Sequence, residues 1–120
     1  MALHLIKGRN SEQLARQHLE QHGLRHLQSN YRCKSGEIDL IMQDGEWLVF
    51  VEVRYRKNSS FGSACESVTP DKQRKLLASA SHYLQRSGTT SPCRFDVVGV
   101  SGENSRTSIE WVRDAFQGNY

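Results

Sequence analysis

Away from its Asp44-Gly45 turn and the adjoining Glu46, the stretch GEIDLIMQDGEWLVFVEVRYR carries Glu37, Asp39 and Glu52 as carboxylates and Arg54 and Arg56 as guanidinium groups. The residues around them are apolar. Two carboxylates brought to one place can hold a divalent cation, because Mg²⁺ takes a few carboxylate oxygens and keeps several waters. A charge set among strand residues costs free energy unless it is paired, solvated or bound to a metal. Asp39 and Glu52 are therefore candidate metal ligands. An ion-pair ladder of Glu37, Asp39, Glu52, Arg54 and Arg56 on a solvated sheet face is the other reading of the same residues.

A hairpin must position these groups. Asp44-Gly45 between two alternating runs predicts a two-residue loop, with positive φ at both central positions. The register that follows pairs Met42 with Trp47, Leu40 with Val49 and Glu37 with Glu52. It makes Asp39 and Glu52 diagonal neighbours, with Cα atoms about 7–8 Å apart. One face then collects Ile38, Leu40, Met42, Trp47, Val49, Val51, Val53 and Tyr55. The other collects Ile41, Leu48 and Phe50 near the turn and the charged residues at the far end. The apolar face needs a cover, and the carboxylate face is expected to stay more open.

The remaining elements follow from periodicity and caps. Residues 1–9 read as a loose lead-in. Asn10 or Ser11 caps a helix that runs to Gly23. Glu12 falls in its first turn, where the helix dipole favours a carboxylate, and a role at the site is the competing reading. His18 and His22 are four apart, but HLEQH lacks the glutamate of the zincin motif, so a partly solvated helix face is the better reading. Residues 24–32 make a weaker strand, and residues 58–68 a loop. Thr69-Pro70 opens a second helix with Leu76, Leu77, Ala80, Tyr83 and Leu84 as its apolar stripe and Gly88 as its stop. Residues 93–100 and 107–113 are strands. A strand-helix-strand unit of this length makes a right-handed parallel crossover. The fold class is α/β, a single domain over residues 1–120, with a mixed sheet and two amphipathic helices over its apolar face.

Composition narrows the class. The net charge of +3 allows an anionic partner without requiring one. Cys33, Cys65 and Cys93 have no CxxC spacing, which argues against a disulfide framework or a zinc site and suits a reducing compartment. No run has the length of a membrane span, so the expected location is the cytoplasm.

GEIDLI, the Asp-Gly turn, VFVEVRYR, Phe61-Gly62, Lys72-Gln73 and CRFDVV, in that order, resemble the signature of the YraN family of small bacterial proteins. That family is in turn similar to the PD-(D/E)xK nuclease superfamily, archaeal Holliday-junction resolvases in particular. The resemblance implies a restriction-endonuclease-like core and a metal-dependent nuclease using Mg²⁺ or Mn²⁺. It makes Asp39 and Glu52 the metal ligands, with the carbonyl of Val53 as a third oxygen. Glu12 corresponds to a first-helix glutamate that some resolvases use at the metal, and Gln73 is a weaker correspondence. Arg54 stands where the superfamily usually has lysine. Arginine stays protonated, so Arg54 cannot be a general base, although it can hold an anion or the scissile phosphate. Arg54, Arg56, Lys57, Lys72 and Arg74 would guide a nucleic-acid backbone, DNA ahead of RNA. Symmetric cutting of two strands would need a homodimer. A nucleic-acid-binding module without catalysis is the alternative that Arg54 favours, and a small scaffold pairing through the hairpin is a third.

Overall fold

The computed structural model describes residues 3–56, 65–103 and 106–117. Lys57, Phe61-Gly62 and most of the expected 58–68 loop lie outside them. The elements are α1 (Leu3–Gln21), β1 (Arg25–Cys33), β2 (Gly36–Asp44), β3 (Trp47–Arg56), a short 3-10 turn (Cys65–Ser67), α2 (Pro70–Ser87), β4 (Cys93–Glu103) and β5 (Arg106–Phe116). The strands form one sheet in the order β1-β2-β3-β4-β5. The β3–β4 pair is parallel, as the crossover through α2 requires, and the other neighbours are antiparallel. Among the described residues no helix is long and apolar enough to cross a membrane.

The central hairpin forms with a register two residues away from the expected one. Asp44 pairs with Trp47, Met42 with Val49 and Leu40 with Val51, so the loop is Gly45-Glu46. Within this loop the positive φ falls on Gly45 alone (59°). A glycine at the first loop position is what a type II′ turn needs, and it frees Asp44 to stay in the strand. There Asp44 Oδ2 meets Arg94 Nη2 at 2.8 Å. Because side chains alternate with a period of two, this slip leaves the sorting of faces intact. Ile38 is the exception. It packs with Tyr31 and Phe50 on one side of the sheet, whereas Leu40 packs with Val49 and Val51 on the other. Between the paired Ser29–Leu40 and Tyr31–Ile38 lie Asn30 and Asp39, and Asn30 carries a φ of 54°. The β1–β2 ribbon turns over at that point.

The two helices cover opposite faces, not one. Helix α1 brings Ala15 and Leu19 onto Leu40, Met42, Val49, Val51, Val98 and Val100. Helix α2 brings Leu76 and Ala80 onto Ile41, Leu48, Phe50, Phe95 and Val97. Ile41, Leu48 and Phe50 make the second face as apolar as the first, and each such side chain contributes about 1.5–3 kcal/mol when fully buried. An open face would forfeit that, and Glu52 at the charged end of the hairpin is buried beside Lys72 of α2.

Both ends of α2 follow the sequence. The Thr69 hydroxyl accepts the amide of Lys72 at 3.1 Å, Pro70 takes the first helical position, and Gly88 closes the helix with φ 69°. Helix α1 departs from expectation: it begins at Leu3, so Asn10 and Ser11 are interior. Buried Ser11 faces inward instead of capping. Glu12 therefore lies beyond the first turn, and the dipole account of it falls.

Candidate metal centre and its surroundings

Continuing the hairpin register past Leu40–Val51, the next opposed positions are Asp39 and Glu52. Such a continuation would set them directly opposite and not diagonal, but the pairing ends at Leu40–Val51. The ladder does not continue there. Instead, the Val53 amide donates to Asp39 Oδ2 at 2.8 Å. The carboxylate replaces a strand carbonyl, and its second oxygen is left for other partners. Glu52, 4% exposed, belongs to the buried polar groups. Its carboxyl is pushed up to about 8, first by burial and then by the charge and hydrogen bonding of Asp39 beside it. The two acids of the sequence reading thus meet at one place.

Two cations flank Glu52. Arg54 Nε lies 3.7 Å and Lys72 Nζ 3.6 Å from Glu52 Oε2. Both distances exceed hydrogen-bond length. Arg54 is anchored through Nη2, which donates to the carbonyl of Ser67 at 2.9 Å. Its Nε is buried without a hydrogen-bond partner. Lys72 comes from the first turn of α2, which the Thr69 cap and Pro70 fix. Gln73 is turned to the Val68 carbonyl, to which its amide donates at 3.0 Å.

Glu12 approaches the same rim from α1. Its carboxyl is raised by partial burial and by Asp39, and a hydrogen bond from Asn30 opposes the shift. Glu12, Gln13, Arg16, Ser29, Asn30 and Leu40 line an adjoining groove of about 210 Å³. Asp39 is therefore felt from both faces of the sheet, by Glu12 on one side and Glu52 on the other. Of the remaining predicted residues, Arg74 pairs with Asp71 at 3.1 Å on the exposed side of α2, and Arg56 is half-buried at the end of β3. Lys57 lies outside the described residues. Val53 meets Asp39 through its amide.

The donor set suits a hard cation. Asp39 and Glu52 offer oxygens only, and a cation between them would relieve the like charge that raises Glu52. Among the described residues no group of three or more His, Cys, Asp or Glu side chains is gathered to hold a metal. An ion here would complete its shell with water, as Mg²⁺ does, and not as a structural zinc does.

A second buried carboxylate escaped the sequence reading. Asp96 is fully buried in β4. It accepts from Arg94 Nε at 3.0 Å, Arg94 Nη2 at 3.2 Å, Trp111 Nε1 at 2.9 Å and the Asp114 amide at 3.0 Å. All of its demand is met within the chain, so it has no capacity for a ligand. His18 and His22 pack edge-on against Trp111, with ring centroids 6.0 and 5.6 Å away. His22 Nδ1 donates to the His18 carbonyl at 2.8 Å. These contacts account for the histidine pair as part of the α1–β5 packing.

The model of the uncharacterised protein family UPF0102 matches residues 11–100. A UPF0102 protein of Nitrosococcus oceani is 55% identical over 118 residues, covering 97% of this chain and 95% of that protein. One from Nitrosospira multiformis is 53% identical over 115 residues, covering 96% of each. A third, from Stutzerimonas stutzeri, is 48% identical over 112 residues, covering 92% of this chain and 93% of its own. A match of this extent, over nearly the whole of each relative, places the chain in the UPF0102 family.

Proposed function

We propose that the protein is a metal-dependent nuclease that hydrolyses phosphodiester bonds in nucleic acid, DNA ahead of RNA, in the cytoplasm. The observation that carries this reading is the meeting of Asp39 and Glu52, with Glu52 buried and its carboxyl pushed up to about 8. Functional sites are where such local conflicts persist. Asp39 and Glu52 would hold Mg²⁺ or Mn²⁺. When bound, the ion supplies a lowered pKa for a water and positive charge at a phosphoryl oxygen.

The chain's own residues have distinct parts in this reading. The Val53 amide orients Asp39. Arg54, tied to Ser67 through Nη2, holds its guanidinium beside Glu52 and supplies positive charge to the site. Lys72 and Arg74 extend the positive charge along α2 and guide the backbone, in salt-dependent and largely sequence-independent contacts. Arg54 remains a cation throughout and moves no proton.

A screen of branched, flap, linear and single-stranded substrates with Mn²⁺, run beside Asp39→Ala and Glu52→Gln, tests the proposal. Cleavage by the natural protein and its loss in both variants is expected. Cleavage surviving in both removes the site. The second reading is a nucleic-acid-binding module without catalysis. The two cations already within 4 Å of Glu52 favour it, since they offset its charge without a metal. It predicts salt-sensitive binding and no cleavage with any divalent ion.

A further inference from the structure

Toward the C-terminal end of α2, a groove of about 250 Å³ opens between the helix and β1, lined by Gln28, Tyr31, Tyr83, Arg86 and Ser87. Its floor and wall are aromatic. Tyr31 is 6% exposed, and its hydroxyl shares a hydrogen bond with His82 Nδ1. The half-buried Tyr83 ring stands edge-on to Tyr31 and to Phe50, with centroids 5.3 and 5.9 Å away. These contacts fix both rings in advance, so seating a flat ligand against them costs little side-chain entropy. The rim is polar and exposed. Among the described residues, no hydrogen bond or ion pair occupies the Arg86 guanidinium or the Gln28 side-chain amide. The other cations of α2 are engaged: Lys72 lies beside Glu52, and Arg74 and Lys75 pair with Asp71. The last turn of a helix suits a cation, which accounts for the charge of Arg86 but not for the aromatic cleft beside it.

The cleft is smaller than the roughly 300–1,000 Å³ of a site for a drug-sized molecule. Fixed rings, one guanidinium and one primary amide suit a planar heterocycle joined to an anion. The heterocycle lies against the tyrosines, its edge meets Gln28, and Arg86 takes the anion. One nucleotide has that chemistry. The groove and the carboxylate pair also share a side of the sheet, since Tyr31 packs with Leu76 and Ala80 of α2 and Glu52 approaches Lys72 of the same helix. From Lys72 to Arg86 the helix axis advances about 21 Å, a length that several nucleotides of one strand span.

We propose that this groove takes one unpaired nucleotide of the nucleic-acid substrate, several nucleotides away from the bond cleaved at Asp39 and Glu52. A base inside a duplex is stacked on both faces and cannot enter a cleft of this kind, whereas a splayed base can. The inference rests on the nucleic-acid reading of the site. It narrows the substrate to one with an unpaired segment: a flap, a branch or a single strand.

Binding is read by fluorescence anisotropy with Ca²⁺, which also takes oxygen ligands, in place of Mg²⁺. The probes are a fluorescein-labelled oligothymidylate and a blunt duplex of the same length. The natural protein is expected to bind the single strand about tenfold more tightly than the duplex. Tyr83→Leu keeps apolar bulk against Phe50 and is expected to weaken the single strand about five- to a hundredfold, the range of one lost base–aromatic stack. Arg86→Ala, at an exposed position, is expected to weaken it about fivefold, and it carries the test if Tyr83→Leu fails to fold. Neither variant should move the duplex. A duplex bound as tightly as the single strand, or an Arg86→Ala loss that is absent or equal for both probes, overturns the groove and leaves the nuclease reading standing. Failure of the natural protein to bind either probe overturns both.

Discussion

The amide of Val53 donates to Asp39 Oδ2 at 2.8 Å, so a side chain on β2 stands in for the backbone of that strand where the ladder would otherwise continue. This bond fixes one oxygen of Asp39, whose carboxylate also acts on Glu52. The distinction between a metal site and an ion-pair cluster turns on what this pair does when a cation is offered.

Metal binding should appear as stabilisation. An ion specific to the folded state at ten times its Kd adds about 1.4 kcal/mol. Thermal melts with Mg²⁺ or Mn²⁺ should therefore rise for the natural protein. They should stay unmoved for Glu52→Gln, whose neutral amide keeps the shape of the side chain. An equal rise in both proteins would place the ion elsewhere.

The raised Glu52 carboxyl gives a defined pH dependence. The folded value of about 8 exceeds the ordinary 4.5, so the folded state holds a proton that the unfolded state has lost. That contribution is complete below about pH 4.5 and is lost as the pH rises through 8, at about 1.4 kcal/mol per pH unit. Urea melts in a chelator should show stability falling between pH 5 and 8, on the order of that slope, with Glu52→Gln much flatter. Cation affinity should run the other way, climbing up to tenfold per unit toward pH 8 as the proton is displaced. A flat melting series in the natural protein would contradict the raised Glu52 carboxyl.

Arg74 is exposed and touches only its helix neighbour Asp71 among the ion pairs described. On either nucleic-acid reading, Arg74→Ala should weaken binding by a similar factor for all sequences. It should also reduce the slope of log affinity against log salt by about 1, with the melting temperature unchanged. An unaltered slope would take Arg74 out of the binding face.

Asp96 should matter for stability and not for the site. Asp96→Asn breaks the ion pair of the fully buried Asp96 with Arg94 and removes an acceptor from Trp111 or from the Asp114 amide, at a cost of about 3–5 kcal/mol. The Mn²⁺ stabilisation measured on the folded fraction should survive. Its loss would link the two carboxylates in a way their separate partners do not suggest.

Glu52 in VFVEVRY and Asp96 in RFDVVGV break the same local rule, and each has an arginine two residues away on its own strand. Sequence could not separate them, because what differs is distant in the chain. Trp111 and Asp114 complete the shell of Asp96, whereas Asp39 sets a like charge against Glu52. The sorting of hairpin faces was legible despite the wrong loop, since a two-residue slip preserves parity. Ile38 was not, because it depends on a left-handed Asn30 on the neighbouring strand. The opposite placement of the helices was half-written in Ile41, Leu48 and Phe50, three apolar residues on the side expected to be open. Thr69, Pro70 and Gly88 marked α2 within its own sequence, while α1 had no breaker to show where it begins.

Because spatial order in the sheet repeats chain order, every strand forms beside one already made or beside the next to come. No segment has to thread between two earlier ones. Refolding after dilution from denaturant should accordingly be quick for a mixed α/β domain, on the order of milliseconds, with the Gly45-Glu46 hairpin as its natural starting point.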